Sequence, residues 1–164
     1  MTHHKPHRPS LRHIVLAGVC VLPLTSEAWT TQAWAAPLQG EAFQRAIAAY
    51  AAIGRNDLAA AEREARAAVA AQPDSADAAR LLMDVLSRQG KRDAAIVAAN
   101  DAVARGAADA DLYAARGYLH QAAQNVAAAA ADFTKVLGDP AFAADKQRGV
   151  RLSLADAAAA QGKH

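Results

Sequence analysis

Apolar and polar positions follow a helical period over most of the chain, and short polar turns interrupt them at regular intervals. The segments NDLAAAEREARAAVAAQP, GKRDAAIVAANDAVARGA and QNVAAAAADFTKVLGDP begin at Asn56, Gly90 and Gln124, which are equally spaced along the chain. The pattern predicts seven helices. They are expected at 41–54, 57–71, 75–89, 92–105, 109–123, 126–137 and 143–161.

Fixed positions in the repeated segments hold small or turn-forming residues. Ala61, Ala95 and Ala129 each lie five residues after the turn, where a larger side chain would overpack two crossing helices. We therefore expect these alanines at helix–helix contacts. Ser75 is expected to cap a helix N-terminus. Glycines lie where helices are expected to end, namely Gly54, Gly90, Gly106 and Gly138.

Composition favours a stack of helices over a large three-dimensional core. Alanine makes up about a third of the residues after position 35, and alanine favours helices and is depleted in strands. A helix pair that recurs with a period of about 34 residues buries its apolar face by stacking on its neighbours. The expected fold is all-α, an α-solenoid of about three helix-turn-helix repeats plus a C-terminal capping helix. The repeats are expected at approximately 42–75, 76–109 and 110–142, with the cap helix at approximately 143–162, in a domain of 36–164.

The most specific motif is LYAARGYLHQAAQNVAAAAADFTKVLGDP, at 112–140. This segment resembles the tetratricopeptide repeat (TPR) family. The matching positions are Tyr113, Arg116, Gly117, Ala129, and DFTKVL before an Asp-Pro turn. The resemblance covers nearly all of the helical region. It is looser in the second repeat, which lacks a closing proline.

The resemblance implies that the first helix of each repeat lines a concave groove and that a ligand segment lies across it. We matched the lining positions of the family to this sequence one at a time. The expected groove residues are Phe43, Ile47, Tyr50, Ile53, Asp77, Arg80, Leu81, Asp84, Arg88, Tyr118 and Gln121, with Asp111, Ala114 and Ala115 beside them. Some family members clamp a C-terminal carboxylate with lysine and asparagine at such positions. Here those positions hold Ala46, Tyr50 and Leu81, so a carboxylate clamp is not expected.

Residues 1–35 have the composition of a secretory signal peptide. Basic residues and no acid precede the apolar run IVLAGVCVLPL, and Ala33-Trp34-Ala35 places small residues around a cleavable bond. The run is shorter than the roughly 20 residues that a membrane-spanning helix needs. We expect export through the general pathway, cleavage after Ala35 and a periplasmic location. An uncleaved membrane anchor and a lipid on Cys20 are open alternatives.

Charge does not indicate a nucleic-acid or membrane partner. The first 35 residues hold three of the 18 basic and one of the 16 acidic side chains, which leaves 15 of each in the secreted chain. A balanced chain lacks the basic footprint of a protein that binds nucleic acid or an anionic membrane. Membrane contact would then come only through an uncleaved signal or through a partner.

Motifs for catalysis or for metal and cofactor binding are lacking. No glycine-rich phosphate loop, zinc-binding His-Glu pattern or nucleophile elbow occurs in the sequence. His120 is expected to be a half-buried packing residue. Asp77 and Asp84 precede Arg80 and Arg88 by three and four residues, which predicts ion pairs on a solvated helix face. We therefore expect no enzymatic activity, no cofactor and no metal.

These observations favour a periplasmic adaptor that binds a peptide or a partner protein in its concave groove. The alternative is a structural or assembly component of an envelope secretion or exopolysaccharide-export machine, because QRGVRLSLADAAAAQGK loosely resembles helices of large export proteins. A third interpretation is a repeat module whose activity lies in another chain. The identity of the partner and the oligomeric state stay open.

Overall fold

The computed structural model describes residues 37–160 and residue 162. The predicted signal peptide, its cleavage after Ala35 and the alternative lipid attachment at Cys20 lie outside the described residues.

Alanine-rich stretches between the polar turns form seven α-helices in the described residues. They are α1 (Gly40–Gly54), α2 (Leu58–Ala71), α3 (Ala76–Arg88), α4 (Arg92–Ala104), α5 (Ala110–Ala122), α6 (Val126–Gly138) and α7 (Ala144–Ala160). Every predicted helix is present, and each end lies within one residue of its predicted position. None of the described helices is both long and apolar enough to cross a membrane.

The helices alternate along the chain between two sets. The A helices are α1, α3, α5 and α7, and the B helices are α2, α4 and α6. Each helix packs against its successor, and α1 also contacts α3, as α3 contacts α5. The described chain is therefore an all-α solenoid of three A–B pairs followed by α7, as predicted. The repeat length brings equivalent A-helix positions side by side on one face.

The core of the stack is built largely from alanine. Ala61, Ala95 and Ala129 are fully buried, with 0% exposure, which confirms their predicted place at helix contacts. Larger apolar side chains concentrate on the central helix α3, where Leu82 and Val85 are among the buried residues. Since each alanine buries little apolar area, the fold depends on many close contacts between helices.

The turn inside each A–B pair has the same left-handed backbone conformation. Asn56, Gly90 and Gln124 have φ values of 60°, 75° and 61°. The residue after each of them donates its backbone N–H to the carbonyl five residues earlier, at 2.8–2.9 Å. This hydrogen bond satisfies a carbonyl at the C-terminus of the A helix and turns the chain back toward it. The three predicted turn positions are confirmed.

The connection from α2 to α3 and the connection from α4 to α5 are built differently. Ser75 Oγ accepts a hydrogen bond from the backbone N–H of Ala78 at 3.3 Å and caps α3, as predicted. Between the second and third pairs, Gly106 has a φ of 89°. The N–H of Ala107 then donates to the carbonyl of Ala102 at 2.9 Å, so a glycine turn stands where the first repeat has a proline.

Candidate functional site

Equivalent positions of the A helices form two rows on one face of the stack. Successive members of each row are one repeat length apart, with Phe43, Asp77, Asp111 and Asp145 in the first row, and Tyr50, Asp84, Tyr118 and Leu152 in the second. The large apolar side chains in these rows are exposed, from 43% for Tyr118 to 62% for Leu152. This A-helix face therefore combines exposed apolar groups with carboxylates.

A groove of about 570 Å³ lies between α1 and α3 on this face and is called the first groove. It is lined by Pro37, Leu38, Phe43, Tyr50, Asp77, Arg80, Leu81 and Asp84. Leu81 is 3% exposed and belongs to the floor, whereas Phe43 and Tyr50 are 48% and 59% exposed. The structure thus brings together six of the residues that sequence reasoning assigned to the groove.

Ion pairs hold the polar side of the first groove. Arg80 donates to both carboxylate oxygens of Asp109 at 2.6 Å and also pairs with Asp77. Burial lowers the pKa of Arg80, but the hydrogen bonds and charges of the two aspartates outweigh this effect and raise the pKa above its usual value. Arg88 donates to Asp84 at 2.9 Å. The predicted Asp77–Arg80 and Asp84–Arg88 pairs are confirmed.

Asp109 connects this site to the next repeat. Its side chain accepts a hydrogen bond from the backbone N–H of Leu112 at 2.7 Å and caps α5. A carboxylate is favoured at a helix N-terminus because the unpaired N–H groups and the helix dipole are positive there. Asp109 is therefore fixed by α5, and it holds Arg80 of α3 in place.

A second groove, of about 490 Å³, lies between α5 and α7. Its lining consists of Asp111, Ala114, Ala115, Tyr118, Phe142, Asp145, Lys146, Gly149 and Val150. The rings of Tyr118 and Phe133 meet edge to face with centroids 5.1 Å apart, and Lys146 pairs with Asp111 at 2.9 Å. The structure places Tyr118 in a different groove from the two aromatic side chains of α1.

Four other residues assigned to the groove from sequence do not line it. Ile47 is exposed on α1, at 48%. Ile53 is half-buried and packs against the core around α3, and Gln121 is half-buried in α5. In the described structure, neither these three residues nor Arg88, the partner of Asp84, is part of the lining of either groove.

The segment before α1 also contributes to the site, and sequence reasoning missed it. Pro37 and Leu38 line the first groove. Gln72 holds this segment, because its side-chain amide donates to the Pro37 carbonyl at 3.3 Å and its amide oxygen accepts from the Gln39 N–H at 3.1 Å. A signal was available, since Leu38 and Phe43 flank the start of α1 with the spacing of a hydrophobic staple.

Comparison with known proteins identifies the fold. The sequence matches no family model and no curated protein sequence. Among solved structures, a tetratricopeptide repeat protein from Parabacteroides merdae ATCC 43184 is similar, with a TM-score of 0.63 and 16% identity. The fold is that of the tetratricopeptide repeat. The match covers 75% of this chain and 48% of that protein, so this chain spans about half the length of that structure.

Two structures of a single TPR domain are similar as well. They are the first TPR of Spaghetti (RPAP3) bound to the HSP90 peptide SRMEEVD and the first TPR domain of human RPAP3. Each has a TM-score of 0.56 and 20% identity, and they cover 70% and 71% of this chain and 94% of their own. The TPR fold expected from the motif at 112–140 is therefore confirmed.

The opposite side of the TPR stack carries a groove of its own, here called the B-face groove. It has a volume of about 720 Å³, lies between α2 and α4, and is lined by Arg66, Val69, Ala70, Pro73, Ala79, Leu82, Ala94, Val97, Ala98, Asp101 and Arg105. Val97 is 57% exposed. The lining is mostly apolar, with Arg66, Asp101 and Arg105 as its charged members.

His120 lies inside the third TPR pair and lines none of the three grooves. It is 9% exposed, and its Nδ1 has no hydrogen-bond partner in the described structure. Burial lowers the pKa of His120 below its usual value. The prediction of a packing histidine is confirmed, although the ring is more deeply buried than expected. No group of three His, Cys, Asp or Glu side chains in the described residues is placed to hold a metal ion.

Proposed function

We propose that this TPR domain is a periplasmic adaptor that binds a peptide or a partner protein along its A-helix face. The observation that carries the proposal is the pair of exposed aromatic side chains in the first groove. Phe43 and Tyr50 are 48% and 59% exposed, and neither ring stacks on another ring within the described residues. Exposed aromatic side chains grouped in a groove are typical of the anchors that dominate binding energy at interfaces.

Similar structures support a peptide as the ligand class. The first TPR of Spaghetti (RPAP3) is solved with the HSP90 peptide SRMEEVD. The positions that would clamp a carboxylate hold Ala46, Tyr50 and Leu81 in this chain, and Ala46 and Leu81 are each 3% exposed. Alanine and leucine have no donor for a carboxylate, and only the hydroxyl of Tyr50 could supply one, so we infer that this groove does not use the carboxylate clamp.

The test removes both aromatic side chains of the first groove. The Phe43→Ala/Tyr50→Ala variant should recover about tenfold less partner from envelope extracts, which corresponds to about 1.4 kcal/mol of binding energy. Its helicity and melting temperature should stay close to those of the parent, because both side chains are about half exposed. Val97→Ala, which shortens an exposed apolar side chain in the B-face groove, is the matched control. Unchanged recovery with the folded double variant would contradict the proposal.

Tyr118 needs a separate variant because it has a structural contact. Its ring packs on the buried ring of Phe133, so Tyr118→Ala is expected to lower the melting temperature as well as binding. If the ligand extends from the first groove into the second, Tyr118→Ala should reduce recovery more than its loss of stability explains. Recovery equal to that of the parent at a temperature where the variant is folded would confine the ligand to the first groove.

The alternative proposal is a structural role in an envelope secretion or exopolysaccharide-export machine, with contacts through the B helices. The observation that favours it is the B-face groove with exposed Val97. Val97→Asp would place a charge in this apolar surface and should abolish an assembly contact there. A partner lost with Val97→Asp and retained by the variant that lacks both aromatic side chains of α1 would favour this alternative.

The periplasmic location rests on the composition of residues 1–35, with a basic start, an apolar run and small residues at Ala33 and Ala35. We propose that the secreted chain begins at Ala36 or within two residues of it. Intact mass of the protein from the periplasmic fraction tests this directly. A mass that includes Trp34, a mass with an added lipid, or protein confined to the cytoplasm would contradict it.

A further inference from the structure

We propose that the first groove selects a basic segment and binds two of its cationic side chains, each between an aromatic ring and a carboxylate. This inference rests on the proposed function and specifies the chemistry of the partner. It identifies the partner as a peptide or protein segment in which two lysine or arginine residues are spaced to match two sites along the groove.

The two walls of the first groove have matching positions. Phe43 on α1 is one repeat length before Asp77 on α3, and Tyr50 is one repeat length before Asp84. All four side chains line the same groove. Each aromatic residue and its carboxylate therefore occupy equivalent positions of neighbouring A helices. The groove contains two such aromatic–carboxylate pairs, one pair seven residues along the helices from the other.

Such a pair suits a cationic side chain. The face of an aromatic ring attracts an ammonium or guanidinium group, and a carboxylate accepts charge-assisted hydrogen bonds from it. Seven helical residues at a rise of about 1.5 Å each separate the two pairs by about 10 Å. In the polyproline II conformation, which has three residues per turn and a rise of about 3.1 Å, side chains at i and i+3 lie on the same side of the segment and about 9 Å apart. A ligand in this conformation with basic residues at positions i and i+3 would therefore reach both pairs.

The charge of the groove favours a basic ligand over an acidic one. Asp77, Asp84 and Asp109 face the two guanidinium groups of Arg80 and Arg88, so one negative charge is left in excess. Arg80 is already held by both carboxylate oxygens of Asp109 at 2.6 Å. Asp77, whose side chain is 46% exposed, therefore retains capacity for a second cation.

The second carboxylate is held only weakly by its own partner. The Asp84–Arg88 pair joins residues four apart on one helix, and its side chains are 47% and 53% exposed. Ion pairs this exposed contribute little to stability, so an incoming cation can replace or share Arg88. Leu81, buried between the two carboxylates at 3% exposure, provides an apolar floor for the residues that separate the basic side chains.

The probes are three capped nine-residue peptides of one template, with lysine, glutamine or glutamate at the two variable positions three residues apart and leucines between them. Binding of labelled peptides to the full chain is measured by fluorescence anisotropy at low and moderate salt. The lysine peptide should bind at least about tenfold more tightly than the glutamate peptide, and added salt should weaken its binding. Equal affinities for the lysine and glutamate peptides, or no binding of the lysine peptide, would overturn the proposal.

Substitutions in the groove measure the contribution of the carboxylates to peptide affinity separately from that of the aromatic rings. Asp77→Asn/Asp84→Asn should weaken the lysine peptide at least about fivefold and remove its advantage over the glutamine peptide. Tyr50→Phe should preserve the affinity because the ring remains, and Tyr50→Leu should lower it. Asp93→Asn/Asp156→Asn removes two exposed carboxylates, one on α4 and one on α7, that line none of the three grooves, and is the matched control. Unchanged affinity for the lysine peptide in the Asp77→Asn/Asp84→Asn variant would overturn the proposal.

One further outcome distinguishes this inference from the proposed function. The glutamine peptide could bind as tightly as the lysine peptide and lose affinity when Phe43 and Tyr50 are replaced by alanine. That result would overturn the selection of basic segments and would leave the adaptor function of the groove intact.

Discussion

Gly117 of α5 lies directly against the ring of Phe133 of α6. A Cβ atom at position 117 would lie 2.7 Å from Cε1 and 2.9 Å from Cδ1 of that ring, closer than van der Waals contact allows. Phe133 is completely buried, so its ring has little space into which to move. The missing side chain at position 117 therefore sets how closely the two helices of the third pair approach.

Replacing this glycine should destabilise the fold even though alanine is the better helix former. We expect Gly117→Ala to lower the free energy of unfolding by about 1–3 kcal/mol, the usual cost of overpacking a core. Gly138→Ala at the end of α6 is the matched control, because no atom lies within 4 Å of the position of its Cβ. Urea denaturation followed by circular dichroism compares the two. A Gly117→Ala protein as stable as the parent would mean that the ring of Phe133 can move aside.

The buried alanines should respond in the same way to a larger side chain. Ala129 is fully buried in α6, with 0% exposure, whereas Ala131 on the same helix is exposed. Ala129→Leu should cost about 1–3 kcal/mol through overpacking, and Ala131→Leu should stay within about 0.5 kcal/mol of the parent. Thermal unfolding of both variants is the measurement. Equal melting temperatures would show that α6 packs loosely enough to accept leucine at either position.

The helices were predictable because their signals are local and occur three times. Asn56, Gly90 and Gln124 mark the same turn at equal intervals, so each occurrence supports the other two. The reasons for the third-repeat motif became visible only in the structure. Arg116 donates to both carboxylate oxygens of Asp132, at 2.8 Å and 2.6 Å, and no local pattern reveals this pairing between two helices.

The left-handed turns give a prediction about single residues. Gln124 has a φ of 61° at the position where the second repeat has Gly90 with a φ of 75°. A residue with a Cβ is disfavoured in this conformation by roughly 1–2 kcal/mol, whereas glycine adopts it freely. Gln124→Gly should therefore raise the melting temperature, and Gly90→Gln should lower it. Chemical denaturation of the two variants gives the sizes of the changes, and changes of the same sign would contradict this account of the turn.

The site was less predictable than the fold. Phe43, Tyr50 and Leu81 were assigned to one groove through the resemblance to the TPR family, and the structure brings them together. The same reasoning could not divide the A-helix face into two grooves, because this division depends on how α5 and α7 pack. It also could not place Ile53 against the core. Helical periodicity identifies the apolar face of a helix, but it does not show which edge of that face contacts the neighbouring helix.

Burial of His120 should make the stability of the protein depend on pH. Burial lowers the pKa of His120 in the folded state, while the charge of Asp132 raises it and that of Arg116 lowers it, with a net shift downward. In the unfolded chain the histidine titrates near its ordinary pKa of about 6.5. Above that pH the ring is neutral in both states and contributes nothing to the pH dependence of unfolding. As the pH falls below about 6.5, the unfolded chain binds a proton that the folded protein does not yet bind, so the free energy of unfolding decreases.

One proton accounts for a slope of at most about 1.4 kcal/mol per pH unit. Urea denaturation of the parent protein between about pH 7.5 and about pH 5.5 should therefore show falling stability, above the range in which most carboxylates titrate. His120→Gln keeps a polar side chain of similar reach and should flatten this slope, whatever it does to the absolute stability. Asp132→Asn removes the carboxylate that raises the pKa of His120 and should steepen the slope, provided that the variant folds. A His120→Gln protein with the same slope as the parent would show that another group is responsible for the pH dependence.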